Sequence, residues 1–410
     1  VAPPTLEDNV MLESSTSQAL GTVLGLVLAA PVQAAVLFEP ASPRAGTPIA
    51  SADTQRMRVN DTALRAASLE FEVDGRPVVA HLSHRETLPD RVITWSGHIR
   101  RATDSGQRSQ PDSDSLTLVQ TDKGMTGSIQ LAGQHYLLLP GPGGQHVLQR
   151  TSGRAIPPDH PPGSALLPVF AMPVPFADGA TCGGDSQAPV TLRVLVAASR
   201  DAAIRHGAQL EGLARLAIAE SNQGYRDSGI GIVLELAGFS ALPYMESGSF
   251  VTDLQRFRLP SDGYMDDIHA SRDRVRADVG MLMLANTQYC GLASGIGSTA
   301  ATAFAAVSTT CAAGYFSFAH EIGHLQGARH NVAADPSTRP YAHGHGFQYR
   351  PAGGTGWRTI MSYDCRPACP RLNAWSNPMM YRDGVPMGDP HSADNHRVLQ
   401  DTREVLAGFR

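Results

Sequence analysis

His320-Glu321-Ile322-Gly323-His324-Leu325-Gln326-Gly327-Ala328-Arg329-His330 is the stretch that decides the reading of this chain. His320 and His324 stand one helical turn apart, so a helix with about 3.6 residues per turn sends both imidazoles out from one face. Such a pair can reach a single ion at about 2.0–2.1 Å. Glu321 lies beside that ion without having to bind it, where its carboxylate can take a proton from bound water. Gly327, having no Cβ, tolerates the positive φ of a sharp turn and lets His330 return as a third ligand. Three protein ligands leave one position for water, as in catalytic rather than structural zinc sites. A bare His-Glu-x-x-His arises by chance, and an amphipathic helix can carry histidines on its polar face. Gly327 and His330 at these offsets set the stretch apart from both. The expectation is one Zn2+ on His320, His324 and His330, with Glu321 as general base.

These residues resemble the metzincin metallopeptidases, whose pattern H-E-x-x-H-x-x-G-x-x-H is followed by a Met-turn. Thr359-Ile360-Met361-Ser362-Tyr363-Asp364, about thirty residues on, matches that turn. The resemblance implies that Met361 forms an apolar floor below the imidazoles. It also implies that Tyr363 binds zinc or steadies the tetrahedral intermediate, as in the astacin and serralysin branches. The chain departs from the reprolysin and matrixin branches at Asn331, where an Asp commonly follows the third histidine, and it is not assigned to them. The run His320–Asn331 is similar to that of the bacterial peptidyl-Asp metalloendopeptidases, the endoproteinase Asp-N type, which implies cleavage before aspartate. In metzincins the S1′ wall comes from the metal helix and the segment after the Met-turn. Here that segment is Cys365-Arg366-Pro367-Ala368-Cys369-Pro370-Arg371. Arg366 and Arg371 are its candidates for gripping a carboxylate side chain, since a guanidinium can do so in bidentate fashion.

At 410 residues the chain exceeds one average domain. A hydrophobic share of 42% is ample for a packed core, and a net charge of -5 gives no reason to expect nucleic acid. Lys123 is the only lysine, so a cationic pocket must use arginine or histidine. The apolar run Ala19–Val32 is too short to span a bilayer comfortably. With Val32-Gln33-Ala34 behind it, the run reads as a secretory signal, although the residues before it (Glu7, Asp8, Glu13) are acidic. No later run is long enough for a transmembrane helix. Cys290, Cys311, Cys365 and Cys369 form an even set suited to two disulfides in an exported protein. Proximity favours Cys290–Cys311 and Cys365–Cys369, with three pairings open.

From about Ala35 to Phe176, alternating apolar segments (Ser68–Ala80, Arg91–Ile99, Ser115–Thr121, Thr126–Leu139) separated by Gly and Pro clusters argue for a β-rich unit. Its histidines, His81, His84, His98, His135, His146 and His160, show no ligand spacing and are given surface or structural places. Residues 156–189, rich in Pro, Gly and Ala, read as a linker. Metzincin zymogens often place a Cys-Gly in the pro-segment so that a thiolate fills the open zinc position. Cys182-Gly183 is the candidate for that latch; otherwise Cys182 pairs with a later cysteine.

Beyond the linker come a strand (Thr191–Ala198), a helix (Asp201–Tyr225), a strand (Ile230–Leu236), a helix (Tyr264–Ala277) and an apolar central strand (Val279–Ala285). Ala300–Thr309 reads as further strand, Phe316–Gln326 as the metal helix and Asn395–Phe409 as a closing helix. His343 and His345, flanked by Gly344 and Gly346, read as loop rather than a second metal site. The order matches what the metzincin resemblance implies: an α+β/α/β fold, with a mixed twisted sheet, an active-site helix and a small C-terminal subdomain, preceded by a β-rich pro-domain. The expected division is signal peptide 1–34, pro-domain and linker 35–184, and metalloprotease domain 185–410.

The function expected is that of a secreted, monomeric zinc endopeptidase made as a zymogen. It acts on polypeptides and has its own pro-domain as inhibitor. Ala177-Asp178 and Gly184-Asp185 offer bonds for self-processing. Two other readings compete. A broad-specificity secreted metzincin would lack the arginine pocket. An exported adhesion or effector protein stabilised by zinc would have no need of Glu321.

Overall fold

The computed structural model describes residues 34–40, 53–100, 114–151, 156–161 and 188–410. The signal-like run, Cys182 and the two candidate self-processing bonds lie outside them. Strands β1 (Ala35–Val36), β2 (Phe38–Pro40), β3 (Thr54–Val59), β4 (Ser68–Val73), β5 (Arg76–Thr87), β6 (Ile93–Arg100), β7 (Ser115–Thr121), β8 (Gly124–Leu131), β9 (Gln134–Pro140) and β10 (His146–Thr151) form one sheet. Its order is β1-β4-β5-β6-β7-β8-β9-β10-β3-β2. From β4 to β10 it is an antiparallel meander. In β4, Leu69, Phe71 and Val73 point inward and Glu70 and Glu72 outward, the two-residue period that alternation in the sequence foretells. These residues join Trp95, Leu116, Leu118, Ile129 and Leu138 in a core of the sheet's own.

The second sheet is built from β11 (Val190–Ala198), β12 (Ile232–Ala241), β13 (Val279–Leu284), β14 (Gly291–Ala293) and β15 (Phe304–Ser308), in the order β12-β11-β13-β15-β14. Only its edge strand β14 pairs antiparallel. Every residue of β13 is buried, as its unbroken apolar run requires of a central parallel strand. The helices are α1 (Arg200–His206), α2 (Leu210–Asp227), α3 (Phe250–Arg258), α4 (Asp267–Arg274), α5 (Ser317–Leu325) and α6 (Asn395–Ala407). Two short hairpins, β16 (Gln348–Tyr349) with β17 (Trp357–Arg358) and β18 (Asn377–Arg382) with β19 (Val385–Met387), lie in the C-terminal part. The disulfides are Cys290–Cys311 and Cys365–Cys369.

Several elements depart from expectation, three of them helical. Gly207, at φ +51°, breaks the single helix expected over 201–225 into α1 and α2. The charged helix α4 is shorter than the stretch Tyr264–Ala277. Helix α3 was not foreseen, because only Phe250, Leu254 and Phe257 mark its inward face; Ser249 caps it by accepting the Thr252 N–H at 3.3 Å.

Helix α2 is covered on two sides. Leu213, Leu216 and Ala217 belong to the same core as Val194 and Val196 of β11, and Val92, Val119 and Leu139 of the first sheet join that core. Gly212 sits so close to β8 that a Cβ would come within 2.5 Å of Thr126 Oγ1. Thr117 Oγ1 donates to Gln223 Oε1 at 2.8 Å, and the Gln130 amide donates to Gly314 O at 2.5 Å. The first sheet therefore grips α2 and the segment that leads into α5. Among the described residues no helix is long and apolar enough to cross a membrane.

Glu220, on this seam, is 3% exposed and accepts the Gly314 N–H at 2.7 Å. Burial pushes its carboxyl up to about 7, against the pull of the Ser128 hydroxyl and the Gly314 N–H. An unfolded Glu ionises near ~4.3, so stability is complete below that pH and declines as pH rises through about 7. The decline amounts to about 3 kcal/mol. Glu220→Gln is expected to remove it, which urea unfolding of the full chain at pH 5 and pH 8 would read.

Candidate active site

Helix α5 presents His320, Glu321 and His324 from one buried surface. It lies close against its surroundings because Gly323 has no side chain. A Cβ there would come within 2.8 Å of Trp375 and 2.9 Å of Met361 Sδ. Trp375 in turn stacks on Tyr225 of α2, with ring centroids 5.4 Å apart. Past the helix, Gly327 takes φ +102° and the chain doubles back. Arg329 then pairs with the strand-like segment at His345, donating its N–H to Gly344 O at 2.7 Å and accepting from Gly346 N–H at 3.0 Å. Its guanidinium is buried against Asp335 at 2.7 Å. This anchored return delivers His330. His345 Nδ1 lies 2.7 Å from His330 O, so His345 braces the third imidazole's backbone.

The three Nε2 atoms converge: 3.1 Å for His320–His324, 3.3 Å for His320–His330 and 3.0 Å for His324–His330. His320 Nδ1 is 2.8 Å from Ile360 O and His324 Nδ1 is 2.9 Å from Ala328 O. A carbonyl only accepts, so each of these Nδ1 atoms carries the proton. Burial, followed by the charges of neighbouring imidazoles, holds all three rings well below the usual histidine range. His320 and His324, neutral and protonated at Nδ1, aim bare lone pairs at one another, which is repulsive unless a cation lies between them. Tetrahedral bonds of about 2.0–2.1 Å set ligand nitrogens about 3.3 Å apart, so the cluster fits one ion.

Met361 is fully buried beneath the cluster, and the preceding carbonyl, Ile360 O, orients His320. Tyr363 lies with its ring centroid 4.1 Å from that of His330. Its N–H donates to Asn331 Oδ1 at 3.1 Å, which gives Asn331 a use in joining the Met361 turn to the segment that carries His330. Glu321 is buried at 1% exposure, packed against β14 so closely that a Cβ on Gly291 would run into its carboxyl. Burial pushes that carboxyl up, opposed by the charge and hydrogen bond of His160 and reinforced by Asp159.

His160 is where the structure overturns the sequence reading. Far from a surface or structural place, it is 6% exposed and forms one group with His320, His324 and His330, with donor atoms all within 4.8 Å of one another. Its Nε2 is 3.1 Å from Glu321 Oε1. Spacing could not reveal it, but Pro157-Pro158-Asp159-His160-Pro161 stands out as a stiff, proline-bracketed acidic and basic pair.

The two candidate pocket arginines part company. Arg366 is exposed on the loop closed by Cys365–Cys369. Arg371 is buried beside the site, its guanidinium carbon 4.4 Å from the Tyr315 ring centre. Its Nη1 donates to Tyr315 O at 3.0 Å and its Nη2 to Ser362 O at 3.2 Å. Arg358, which the sequence reading passed over, lies next to it: Nη1 donates to Ser362 O at 2.6 Å and Nη2 to Tyr315 Oη at 2.8 Å. Arg358 precedes Met361 in the chain, on the other side of the turn from Arg366 and Arg371.

Three imidazoles converging on one buried point, a carboxylate beside them, a methionine below and an antiparallel edge strand alongside define a metallopeptidase of metzincin-like fold. Residues 189–376 match the family model Reprolysin_5, metallo-peptidase family M12, although Asn331 stands where the reprolysin branch commonly has Asp. A peptidyl-Asp metalloendopeptidase of Stenotrophomonas maltophilia (strain R551-3) is 49% identical, over 98% of this chain and 100% of its own length. One from Xanthomonas campestris pv. campestris is 44% identical, over 94% and 93%. One from Pseudomonas fragi is 47% identical, over 47% of this chain and 100% of its own. Metalloproteinase-II from Bacteroides fragilis shows a slighter structural likeness, at TM-score 0.39 and 17% identity over 65% of this chain and 81% of that one. The chain belongs to the family of the peptidyl-Asp metalloendopeptidases, and it is a metalloendopeptidase.

Two substitutions probe the site. His324→Ala removes one converging lone pair and is expected to weaken metal binding at least tenfold (about 1.4 kcal/mol or more), read by metal analysis of the dialysed full chain. Asp335→Asn leaves the buried Arg329 charge unpaired and is expected to cost about 3 kcal/mol in denaturant unfolding.

Proposed function

We propose that this chain is an exported precursor whose processed form, residues 185–410, hydrolyses peptide bonds on the N-terminal side of aspartate. His320, His324 and His330 hold the metal, which we take to be zinc because three imidazoles with a place left for water suit that ion. Bound zinc polarises the scissile carbonyl and brings the pKa of its water toward ~7.

The chain's own residues do the rest. Glu321 accepts the proton of the attacking water and passes it to the departing amine. Tyr363, beside His330, is positioned to donate a hydrogen bond to the developing oxyanion. Gly291 brings the edge strand β14 up to Glu321, so a substrate lying along that edge passes over the base.

The observation that carries the aspartate preference is the pair of buried guanidiniums, Arg358 at 2% and Arg371 at 8% exposure, fixed by Tyr315 and Ser362. Buried cations are costly unless paired, so a pocket that holds two of them favours an anionic side chain over a neutral one. Self-processing before Asp178 or Asp185 follows from the same preference, and cleavage before Asp185 would leave Cys182 behind with the pro-segment.

Digestion of a denatured protein by the processed enzyme, with the cut sites sequenced, tests the reading. Most new N-termini should begin with Asp, and a spread over unrelated residues would refute the preference. Arg371→Gln should lower kcat/KM on an Asp peptide by about 100-fold while changing that on the Asn counterpart far less.

A further inference from the structure

Asp159 and His160 have no place in the hydrolysis set out above, yet His160 is buried and Asp159 half-buried in the site. The stretch they sit in follows the edge strand: Cys290 N–H donates to Pro158 O at 2.8 Å and Gly291 N–H to Asp159 O at 3.2 Å. These are the backbone donors at the start of β14, the strand on which a substrate would lie. From there the two side chains go to different places. Asp159 is 3.0 Å from Arg371 Nη2 and 3.8 Å from Arg358 Nη1, with its side chain 10% exposed. His160 turns to the metal cluster. Its ring centroid is 4.9, 5.1 and 4.7 Å from those of His320, His324 and His330, and its Nε2 is 3.1 Å from the base.

We propose that Asp159-His160 is the plug that keeps the precursor inactive: His160 fills the metal's open position and ties up Glu321, while Asp159 occupies the Arg358–Arg371–Tyr315 pocket as a stand-in for the substrate's aspartate. The pocket half of this rests on the aspartate preference put forward above; the metal half does not.

The arrangement explains how a bond of the cleavable type sits in the site uncut. Hydrolysis before Asp159 would require the Pro158 carbonyl at the metal, but that oxygen is held by Cys290 N–H and an imidazole stands at the cluster instead. The place for water is filled and Glu321 is engaged by the same ring. Charge accounts for the grip. Among the described residues, the other carboxylate on this pair of guanidiniums is Asp364, 3.5 Å from Arg358 Nε and 51% exposed. Two buried cations therefore depend on Asp159 until a substrate replaces it. The flanking Pro157, Pro158 and Pro161 fix φ and reduce the entropy lost in holding the plug in place.

The test uses the full chain carrying Glu321→Gln, so that it stays intact while an amide of the same shape remains beside His160. Zinc-edge X-ray absorption should show, in the outer-shell scattering of the rings, four imidazole ligands; adding His160→Ala should reduce them to three, whereas Cys182→Ala should change nothing. An unchanged spectrum in His160→Ala, or a change produced by Cys182→Ala instead, overturns the latch. Fluorescence anisotropy with a labelled hexapeptide holding one Asp, and with its Asn counterpart, reads the pocket. The parent should bind neither. Asp159→Ala with His160→Ala should bind the Asp peptide at least about tenfold tighter than the Asn one. Equal binding of both overturns Asp159 as the substrate's stand-in. Asp159→Asn and His160→Gln repeat both readings without opening a cavity. If the processed enzyme cuts without regard to Asp, the functional reading falls, while the absorption result still decides the latch.

Discussion

Three buried lone pairs aimed at one point are the constraint on which the rest of this molecule depends. Burial keeps the imidazoles of His320, His324 and His330 neutral, and two backbone carbonyls fix the tautomers of His320 and His324. That geometry is unfavourable unless a cation occupies its centre, so the surroundings must hold it in place. Gly323 lets α5 settle onto Met361 and Trp375, and Trp375 is held by its stack on α2. The Arg329–Asp335 pair pins the return that carries His330. Asn331 then ties that return to the Met-turn. Each brace comes from a different segment, so the site is only as rigid as the packing between them.

A second constraint is cationic. Arg358 and Arg371 are neighbours in a small bridge and share Tyr315 and Ser362 as acceptors. Their hydrogen bonds set the direction of both guanidiniums before any ligand arrives, which is what selectivity for a planar anion requires. Placing this pair beside the three imidazoles lets one short segment, Asp159-His160, reach the guanidiniums and the imidazole cluster together.

The parts legible in the sequence were those whose physics is local. The spacing of His320 and His324 is one helical turn, so α5 could be read directly. The apolar run of β13 announced a central strand, and alternation announced the meander from β4 onward. The Met-turn was legible because its residues, Thr359–Asp364, form one short contiguous run. What escaped was set by contacts remote in sequence. His160 lies 160 residues before the helix it faces, at no ligand spacing. Arg358 gains its meaning from Arg371 and Tyr315. Edge strand β14 has three residues, too few for any period to show.

The most direct test of the central claim is anomalous diffraction from crystals of the full chain, recorded on both sides of the zinc absorption edge. One strong difference peak, equidistant from the Nε2 atoms of His320, His324 and His330 at about 2.1 Å, is the result expected. No peak there, or rings turned away from a common centre, would contradict the account.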